Sequence, residues 1–426
     1  MDLSRYNILY DSGDEVLVFN SLTGAFVKFA KSDWESLEAN LNDFDESDLS
    51  ELAKLGIIVE SRESELMLYK NMYYRAMYDS RKPLLYIAPT MKCNFNCPYC
   101  FEGNHNTEGA MSDETVENLV RFLRAQKMRD VSIIWIGGEP MLSFDTILKL
   151  SEKFKESGIV YSSSMITNGS IFPTDTILKL PELNLGMIQI SMDGIAKDQN
   201  KRRCFKNGTP SFDVVVNNIG NLLAYSSIPV VVQVTVDKEN IDAERELYSY
   251  FKSKFPEYIE SQRLRVQKNY VQDKTGFDSR GTCYTPNDVF KREIEELKSI
   301  RSFNLPLPGK ALPCGYRSPL SFAIDSAGNI YKCLEHLGHT EMRVGSLNEG
   351  KLDVQKIAGC SLSYHPFDDR ECIECNVLPL CGGGCPLERA KVFKGGSNNY
   401  CSHYKNRLHE MLPVIYERQM AASNQQ

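Results

Sequence analysis

Several features that often reveal a protein's role are missing from this chain of 426 residues. There is no basic excess: 49 lysines and arginines stand against 56 aspartates and glutamates, a net charge of −7, so we expect no nucleic-acid partner. No apolar run approaches the roughly 18 residues that span a bilayer, so we expect no membrane partner. The N-terminus has no basic stretch followed by an apolar one. We therefore predict a cytoplasmic protein without a secretory signal.

The chain also lacks internal repeats, and its one low-complexity tract is the polar tail 421–426. Hydrophobic residues make up 42% and charged residues 25%, which is the ordinary balance of a chain that buries a large core. This composition excludes wholesale disorder. At roughly 100–200 residues per domain, the length allows two to four domains.

The 13 cysteines are the unusual feature of the composition. An odd number in a reducing compartment argues against a disulfide framework and favours metal ligation or catalysis. Three of them lie together early in the chain, and most of the others lie in the last third. Cysteines scattered through a hydrophobic core would not group in this way.

Residues 1–80 predict short strands and helices separated by turns. This order predicts a small winged-helix-like module, which we expect to recognise a peptide. The alternative is a decoration that only packs on the main domain. The predicted strands are 6–10, 15–20, 25–29 and 56–59, and the predicted helices are 32–41 and 46–55.

From residue 84 the pattern changes to alternating strands and amphipathic helices. Repeated βα units imply a parallel sheet, and six units fit the span better than eight, so we predict an α/β fold with a partial (β/α)6 TIM-like barrel. The segment 304–309, rich in proline, marks a boundary. We predict domains at 1–80, 81–302 and 303–426. The predicted core strands are 84–88, 131–136, 161–166, 187–191, 230–236 and 264–266.

The first cysteine group follows the first core strand with the spacing C-x3-C-x2-C, formed by Cys93, Cys97 and Cys100. Three thiolates on one tight loop suit an iron–sulfur cluster in which one iron has no protein ligand. A zinc site with His105 as the fourth ligand is the alternative. A barrel places its chemistry at the C-terminal ends of its strands, where this loop lies.

This loop, with the aromatic Tyr99 before its last cysteine, resembles the radical S-adenosylmethionine (SAM) superfamily. The resemblance implies that the three cysteines hold a 4Fe-4S cluster whose open iron binds SAM. It also implies that reduction of the cluster cleaves SAM to a 5′-deoxyadenosyl radical, which abstracts a hydrogen from the substrate.

Other motifs at predicted strand ends extend the resemblance. Gly138 and Glu139 in a Gly-Gly-Glu-Pro segment match the part that binds the SAM amino group, although the segment alone is also a common strand-exit turn. Asn168 lies in a Thr-Asn-Gly segment after the third strand, and the resemblance makes it, like Tyr99, a predicted cofactor-binding residue. Ser191, after the fourth strand, implies a contact to the SAM ribose.

Arg203 lies where the family places an arginine for the SAM carboxylate, and the neighbouring Arg202 is the alternative. The chain departs from the family pattern at Ile136, where an aromatic residue or glutamine is commoner, and at 199–200, where His-Asp or His-Asn is usual. Neither departure touches the predicted cluster ligands.

Seven cysteines of the last third resemble the SPASM extension of radical SAM enzymes, which holds two auxiliary 4Fe-4S clusters. A pair of zinc-ribbon sites is the alternative, because paired C-x2-C motifs are its commonest sign. With the first cluster, the resemblance implies three 4Fe-4S clusters and SAM as cofactors. It assigns Cys372, Cys375, Cys381 and Cys401 to one auxiliary cluster, and Cys314, Cys333 and Cys385 to the other.

Three cysteines remain unassigned. Cys283 and Cys360 are candidates for the fourth ligand of the Cys314 cluster, and an open iron that binds substrate is equally compatible. Cys204, beside Arg203, is best interpreted as a small, partly buried side chain.

These modules together suggest a maturase that modifies a precursor peptide, forming a thioether, a crosslink or an epimerised residue. The N-terminal module would bind a leader peptide by adding a strand to its own edge. A ferredoxin or flavodoxin is the electron donor that the family implies.

Two alternatives remain for the function. One is an anaerobic sulfatase-maturating enzyme that generates formylglycine, and the other is an iron–sulfur electron carrier. Sulfatase maturases place an aspartate directly after the cysteine equivalent to Cys333, where this chain has Leu334 followed by Glu335. Glu335 is therefore our candidate catalytic base. His336 and His339 are solvated loop residues or donors near a cluster.

Overall fold

The structure is a computed structural model that describes residues 1–100, 102, 109–271, 281–299, 313–396 and 400–423. Two predictions fall outside these residues: His105 as a fourth ligand, and the boundary at 303 with its segment 304–309. The end of the polar tail, 424–426, also falls outside them. Within the described ranges, every helix is too short or too polar to cross a bilayer.

The first 80 residues form two small antiparallel sheets and three helices. Their elements are β1 (Asp2–Leu3), β2 (Asn7–Asp11), β3 (Glu15–Asn20), β4 (Phe26–Ala30), α1 (Lys31–Ala39), α2 (Glu46–Leu55), β5 (Ile58–Val59) and α3 (Arg62–Met77). β1 pairs with β5, while β2, β3 and β4 form a three-stranded sheet. From β2 to β5 the order of strands and helices agrees with the sequence pattern, whereas the short strand β1 and the long helix α3 are additions to it.

The centre of the protein is a sheet whose six consecutive strands run parallel, as the sequence predicts. The strands are β6 (Leu84–Ile87), β7 (Asp130–Trp135), β8 (Val160–Thr167), β9 (Leu185–Met192), β10 (Val230–Val236) and β11 (Leu264–Tyr270). Each pairs with the next in sequence order. The connecting helices are α4 (Asp113–Ala125), α5 (Phe144–Glu156), α6 (Thr174–Ile177), α7 (Ala196–Arg202), α8 (Phe212–Tyr225), α9 (Ala243–Lys254) and α10 (Pro256–Glu260).

Side-chain alternation decides which face of the sheet is covered. In β7, Val131, Ile133 and Trp135 are buried, and the residues between them are half-buried. The buried face packs in the main hydrophobic core with helix residues such as Leu119 and Phe154. The other face therefore lines a partly open interior, and the loops at the C-terminal strand ends meet at one edge.

The chain from residue 286 onward, here called the cysteine-rich segment, extends the same sheet. It contains α11 (Pro286–Ser299), β12 (Phe322–Ile324), β13 (Asn329–Tyr331), β14 (Gly345–Ser346), β15 (Lys351–Leu352), α12 (Val354–Leu362), α13 (Arg370–Ile373), α14 (Leu378–Cys381), α15 (Pro386–Phe393) and α16 (Leu412–Ser423). β12 pairs in parallel with β6, and β13 to β15 follow as an antiparallel extension. The sheet is open, because β12 and not β11 lies beside β6. The two predicted domains after residue 80 thus share one sheet.

Helix α3 connects the N-terminal segment to the cysteine-rich segment through aromatic side chains. The rings of Tyr69 and Tyr73 meet that of Phe367 edge to face, at centroid distances of 5.7 and 5.2 Å. Tyr74 stacks on His365 at 5.1 Å. Such pairs contribute about 0.5–1.5 kcal/mol each beyond the area they bury. The helix is thereby fixed against the chain that leads to Cys372.

The buried imidazole of His365 predicts an acid-sensitive step in stability. Burial, assisted by the nearby Arg317 cation, lowers the pKa of His365 to about 4, against an ordinary value of about 6.5. The unfolded chain therefore binds the proton first, and this part of the stability is complete above pH 6.5 and lost as the pH falls towards 4. When the pH falls from 7 to 4.5, we expect the free energy of unfolding to decrease by about 2–3 kcal/mol less in His365→Asn than in the wild type.

Urea denaturation followed by tyrosine fluorescence at the two pH values measures this difference. His409→Asn, at an exposed position, is the matched control and should behave like the wild type. Equal pH dependence in wild type and His365→Asn would show that His365 is already protonated, or solvated, in the folded protein.

Candidate functional site

The loop with the first cysteine group leaves β6 at the edge where the strand ends meet. Cys93 and Cys97 pack against the main core. Burial raises the pKa of the Cys93 thiol to about 11, with a contribution from Cys97, and Cys100 adds to the raised pKa of Cys97. The structure therefore brings the three predicted ligands together. Iron binds the thiolate form, so ligation would offset the burial that raises the pKa of these thiols.

The backbone of this loop is held by the segment after α7. Asn96 N donates to Cys204 O at 3.0 Å, and Lys206 N donates to Asn94 O at 2.9 Å. The rings of Phe95 and Phe205 meet edge to face at 4.9 Å. Cys204 thus supports the loop through its carbonyl, in agreement with the structural role expected for it.

The two glycines after β7 allow the strand exit to lie directly against the cysteine loop. Gly137 has a φ of +120°, and a Cβ there would collide with the carbonyl of Thr90. A Cβ on Gly138 would collide with the carbonyl of Lys92, one residue before Cys93. The two glycines thus allow a close approach to the chain's own backbone at the cysteine loop. Contact of Gly138 with SAM remains a prediction.

The carboxylate of Glu139 is completely buried and joins two strand ends. Its Oε1 accepts hydrogen bonds from Thr167 Oγ1 at 2.7 Å and Met141 N at 3.0 Å. Its Oε2 accepts from Asn168 N at 2.7 Å. Burial raises the pKa of Glu139, and these hydrogen bonds oppose the rise. In the structure the Glu139 carboxylate holds the ends of β7 and β8 together. Its contact with the SAM ammonium, expected from the sequence, stays a prediction.

Asn168 continues this connection from β8 to the cysteine loop. Its Nδ2 donates to Asn94 Oδ1 at 2.8 Å and lies 3.8 Å from Cys93 Sγ. Ser170 N donates to its Oδ1 at 2.9 Å, which fixes the orientation of the amide. Asn168 therefore lies at the cluster loop, and its predicted contact to SAM remains open. Ser191 is half-buried near the end of β9, on the same edge.

The structure distinguishes the two neighbouring arginines. Arg202 is paired with two buried carboxylates, at 2.7 Å from Asp193 and 2.9 Å from Asp237. Arg203 Nη1 donates to Tyr99 Oη at 3.0 Å, and its buried Nε has no partner among the described residues. Arg203 Nη1 also lies 3.6 Å from Asp193 Oδ1, so Arg203 keeps donor capacity for an anionic group mainly at Nε, whereas Arg202 is held by two carboxylates at shorter distances.

Tyr99, the aromatic residue of the motif, belongs to the same network. Its hydroxyl lies 2.6 Å from both oxygens of Asp193. Burial raises the pKa of Tyr99, so the phenol is the donor to the Asp193 carboxylate. Gln199, one of the departures from the family pattern, accepts from Asp193 N at 2.9 Å. The departure thus supplies a hydrogen bond that holds this strand end.

Sequence reasoning missed Asp237 and Asn240. Asn240 Nδ2 donates to Asp193 O at 2.7 Å, and Asp237 balances the charge of Arg202. Asp237 directly follows β10 and Asn240 lies three residues further on. Polar residues after this strand end could have identified them from the sequence. The buried residues that hold the site in place therefore extend to the end of β10, the fifth parallel strand.

In the cysteine-rich segment, one cavity collects four of the predicted ligands. It is lined by Cys372, Cys375, Cys381 and Cys401. A Cβ on Gly384 would collide with the carbonyl of Tyr400, and Gly384 has a φ of +75°. Glycine is required for this turn between two ligands. The set of four thiols around one cavity fits a 4Fe-4S cluster.

The zinc alternative needs a tighter arrangement. A zinc ion holds its sulfurs at about 2.3 Å from the metal, so the four sulfurs crowd together. Among the described residues, no three His, Cys, Asp or Glu side chains have this spacing, and this holds for Cys93, Cys97 and Cys100 as well as for the auxiliary cysteines.

The other three predicted auxiliary ligands also come together. Burial raises the pKa of Cys333 to about 12, and the charges of Glu335, Cys314 and Cys385 contribute. Cys360 lies nearby, because its thiol is hydrogen-bonded to the hydroxyl of Tyr316, whose pKa also responds to Cys333.

Cys283 lies in a different place. Its neighbour Thr282 accepts from Lys238 N at 2.9 Å, beside the ends of β10 and β11. Of the two candidates for the fourth ligand, Cys360 is the one placed close to the group of three. Which ligand the iron takes remains open.

The short turn after Cys333 carries Glu335, which is exposed. His336 is half-buried, and burial lowers its pKa. His339 Nδ1 lies 3.2 Å from Glu341 Oε1. Glu335 is near enough to Cys333 to act at that cluster site, and its role as a base remains a prediction.

Comparison with known proteins agrees with this geometry. Residues 87–251 match the sequence model of the Radical SAM superfamily. The serine-type anaerobic sulfatase-maturating enzyme of Klebsiella pneumoniae is 25% identical over 346 residues, which cover 76% of this chain and 85% of that enzyme. The cysteine-type anaerobic sulfatase-maturating enzyme of Clostridium perfringens is 24% identical, over 76% of this chain and 94% of that enzyme.

Two solved structures share the fold. Native anSMEcpe with bound AdoMet and Cp18Cys peptide superposes with a TM-score of 0.59 at 21% identity, covering 81% of this chain and 100% of that one. Streptococcus suis SuiB bound to precursor peptide SuiA has a TM-score of 0.52 at 16% identity, covering 94% of this chain and 99% of that one. At these identities the likeness establishes the fold.

The contrast between the two arginines gives a paired prediction. Arg202→Met leaves buried Asp237 without its cation and Asp193 with only Arg203, at 3.6 Å, so we expect a loss of about 3–5 kcal/mol in the free energy of unfolding. Arg203→Met removes a charged donor, so we expect at least about tenfold weaker SAM binding with a smaller effect on stability. Thermal melts and equilibrium dialysis with SAM measure the two effects. Unchanged SAM affinity in folded Arg203→Met would refute the assignment of Arg203.

Three findings now converge on one family. The cysteine loop leaves the first of six parallel strands, as in the motif. The sequence model covers this loop and the strands after it. The solved structures share the α/β fold. The protein therefore carries a radical SAM domain over residues 87–251 and is a radical SAM superfamily enzyme.

Proposed function

We propose that this radical SAM enzyme oxidises a peptide or protein substrate and carries three 4Fe-4S clusters. The observation that carries the proposal is the extent of the likeness to sulfatase-maturating enzymes. It spans 76% of the chain, far more than the radical SAM domain at 87–251. The electron-carrier alternative is set aside, because the chain is a radical SAM enzyme.

The residues of the first site have distinct roles in this proposal. Cys93, Cys97 and Cys100 would hold the cluster that, when bound, reductively cleaves SAM to the 5′-deoxyadenosyl radical that takes a hydrogen atom from the substrate. Arg203 would bind the SAM carboxylate with its buried guanidinium. Asn168 would keep the loop of Cys93 in place through Asn94.

The two auxiliary sites would accept or transfer the substrate's electron. Four thiols around one cavity support a fully ligated cluster at Cys372, Cys375, Cys381 and Cys401. The group of Cys314, Cys333 and Cys385 supports a second one, with Cys360 or the substrate completing it. A ferredoxin or flavodoxin remains the proposed electron donor, and the cytoplasm the proposed compartment.

Among specific activities, the comparisons favour formylglycine generation over the peptide crosslinking that we placed first on sequence grounds. Serine-type and cysteine-type sulfatase-maturating enzymes both match over three quarters of the chain. Leu334 cannot accept the proton that an aspartate would take there. Glu335, the next residue, is exposed and electrostatically coupled to Cys333, so it is our candidate for that proton.

A precursor-peptide maturase remains the second candidate, because of the N-terminal segment. Among the described residues, β4 pairs with β3 on one side only, so its other edge offers main-chain groups to an added strand. SuiB, whose structure contains its precursor peptide, shares the fold over 94% of this chain. The proposed winged-helix-like module at 1–80 would bind the leader of such a substrate.

A sulfatase-derived peptide with serine or cysteine at the target position tests the favoured activity. We incubate it anaerobically with reconstituted enzyme, SAM and dithionite, and measure conversion to formylglycine by mass spectrometry. Glu335→Gln should lose at least about tenfold in conversion, because general-base catalysis contributes 10²–10⁴-fold. It should still cleave SAM.

Glu341→Gln, which changes a neighbouring exposed carboxylate, is the matched control and should retain conversion. Wild-type conversion in Glu335→Gln would exclude Glu335 as the base. Formation of a crosslinked or epimerised product from a precursor peptide, without any formylglycine from the sulfatase peptide, would favour the second candidate.

A further inference from the structure

Arg389, in α15, is a cation buried against a predicted cluster ligand. Its exposed fraction is 0%. Its Nη1 donates to Cys372 Sγ at 3.2 Å, which is a short distance for a nitrogen–sulfur hydrogen bond. Cys372 is one of the four thiols that line the same small cavity. The arginine therefore acts directly on the sulfur that the cluster would use.

The guanidinium is fixed by three kinds of contact. Nη2 lies 2.6 Å from Asp369 Oδ2, and Nε donates to Tyr364 O at 2.7 Å. The rings of Tyr400 and Phe393 lie 4.6 and 5.1 Å from its central carbon. A buried cation persists only with such compensation. These contacts leave Nη1 as the donor that points at the sulfur.

A second cation approaches another thiol of the same group. Lys405 Nζ lies 3.7 Å from Cys401 Sγ and 3.0 Å from Glu371 Oε2. Its side chain is partly exposed, so its effect on the sulfur is weaker than that of Arg389. Two of the four thiols thus have a cationic donor.

We propose that Arg389, assisted by Lys405, raises the reduction potential of the cluster held by Cys372, Cys375, Cys381 and Cys401. Reduction adds one electron and no proton, so the reduced cluster carries more negative charge. A cation and an N–H···S bond stabilise that charge more than the oxidised state. Arg389 is a positioning residue that acts through Cys372. This inference rests on the proposed cluster at these four thiols.

The functional consequence concerns the direction of electron flow. Cys372 Sγ accepts a hydrogen bond from a buried arginine. A cluster made easier to reduce in this way would draw the electron released when the substrate radical is oxidised. The substrate would lose that electron together with a proton to a base, which balances the step.

Potentiometric titration with dithionite, followed by electron paramagnetic resonance, measures the potential. We use the full chain, reconstituted, in a Cys93→Ala/Cys97→Ala/Cys100→Ala background that removes the first cluster. The signal that disappears in Cys372→Ala identifies the cluster concerned. Iron content is measured for every variant.

We expect Arg389→Gln to lower the reduced-to-oxidised ratio about tenfold at a fixed potential, a shift of about 59 mV for one electron. Arg389→Lys, which keeps the charge, should recover most of the potential. Lys405→Met should shift it in the same direction by less. Lys391→Gln removes an exposed cation of the same helix and should leave the potential unchanged.

Parent-like potentials in both Arg389→Gln and Lys405→Met, at full iron content, would overturn the inference. If Arg389→Gln does not retain the cluster, Lys405→Met decides: a lowered potential supports the inference and an unchanged one overturns it. If the parent has no signal that depends on Cys372, the proposed cluster itself is wrong. The two failures are therefore distinguishable.

Discussion

The buried carboxylate of Glu139 is the constraint on which the first site depends. It lies at the end of β7 and accepts hydrogen bonds from two residues at the end of β8, Thr167 and Asn168. Asn168 in turn reaches Asn94, in the cysteine loop that follows β6. An anion without exposure needs every one of these donors, so three strand ends are fixed relative to one another. The relative positions of Cys93 and its neighbours follow from this arrangement.

The cysteine-rich segment uses buried cations for a comparable purpose. Arg317 donates to three backbone carbonyls, and Arg389 donates to one carbonyl, a carboxylate and a sulfur. Helix α3 covers this region with Tyr69 and Tyr73, and the Tyr69 hydroxyl donates to Leu378 O at 3.2 Å. The N-terminal segment is thus in direct contact with the chain around the auxiliary ligands. A peptide bound to the N-terminal segment would therefore lie close to the predicted auxiliary cluster ligands.

Features that depend on local sequence pattern could be predicted from the sequence alone. Six parallel strands and the cysteine loop after the first of them follow from alternation and spacing, whereas the grouping of the auxiliary thiols was implied by the resemblance to the SPASM extension. Tertiary pairing is not readable from local pattern: Asp237 and Asn240 support Asp193 from another strand, and Glu139 accepts hydrogen bonds from the end of β8. The burial of Arg389 against Cys372 depends on a helix and a loop that meet only in the folded protein. The choice between Arg202 and Arg203 needed the same information.

The central claim is that the loop of Cys93, Cys97 and Cys100 binds an iron–sulfur cluster that cleaves SAM. The most direct measurement is 5′-deoxyadenosine formation by anaerobically reconstituted protein with dithionite and SAM. The account predicts product from the wild type and none from Cys93→Ala/Cys97→Ala/Cys100→Ala, which should lose about four irons per chain and keep the rest. No product from fully loaded wild type, or equal product from the variant, would contradict it.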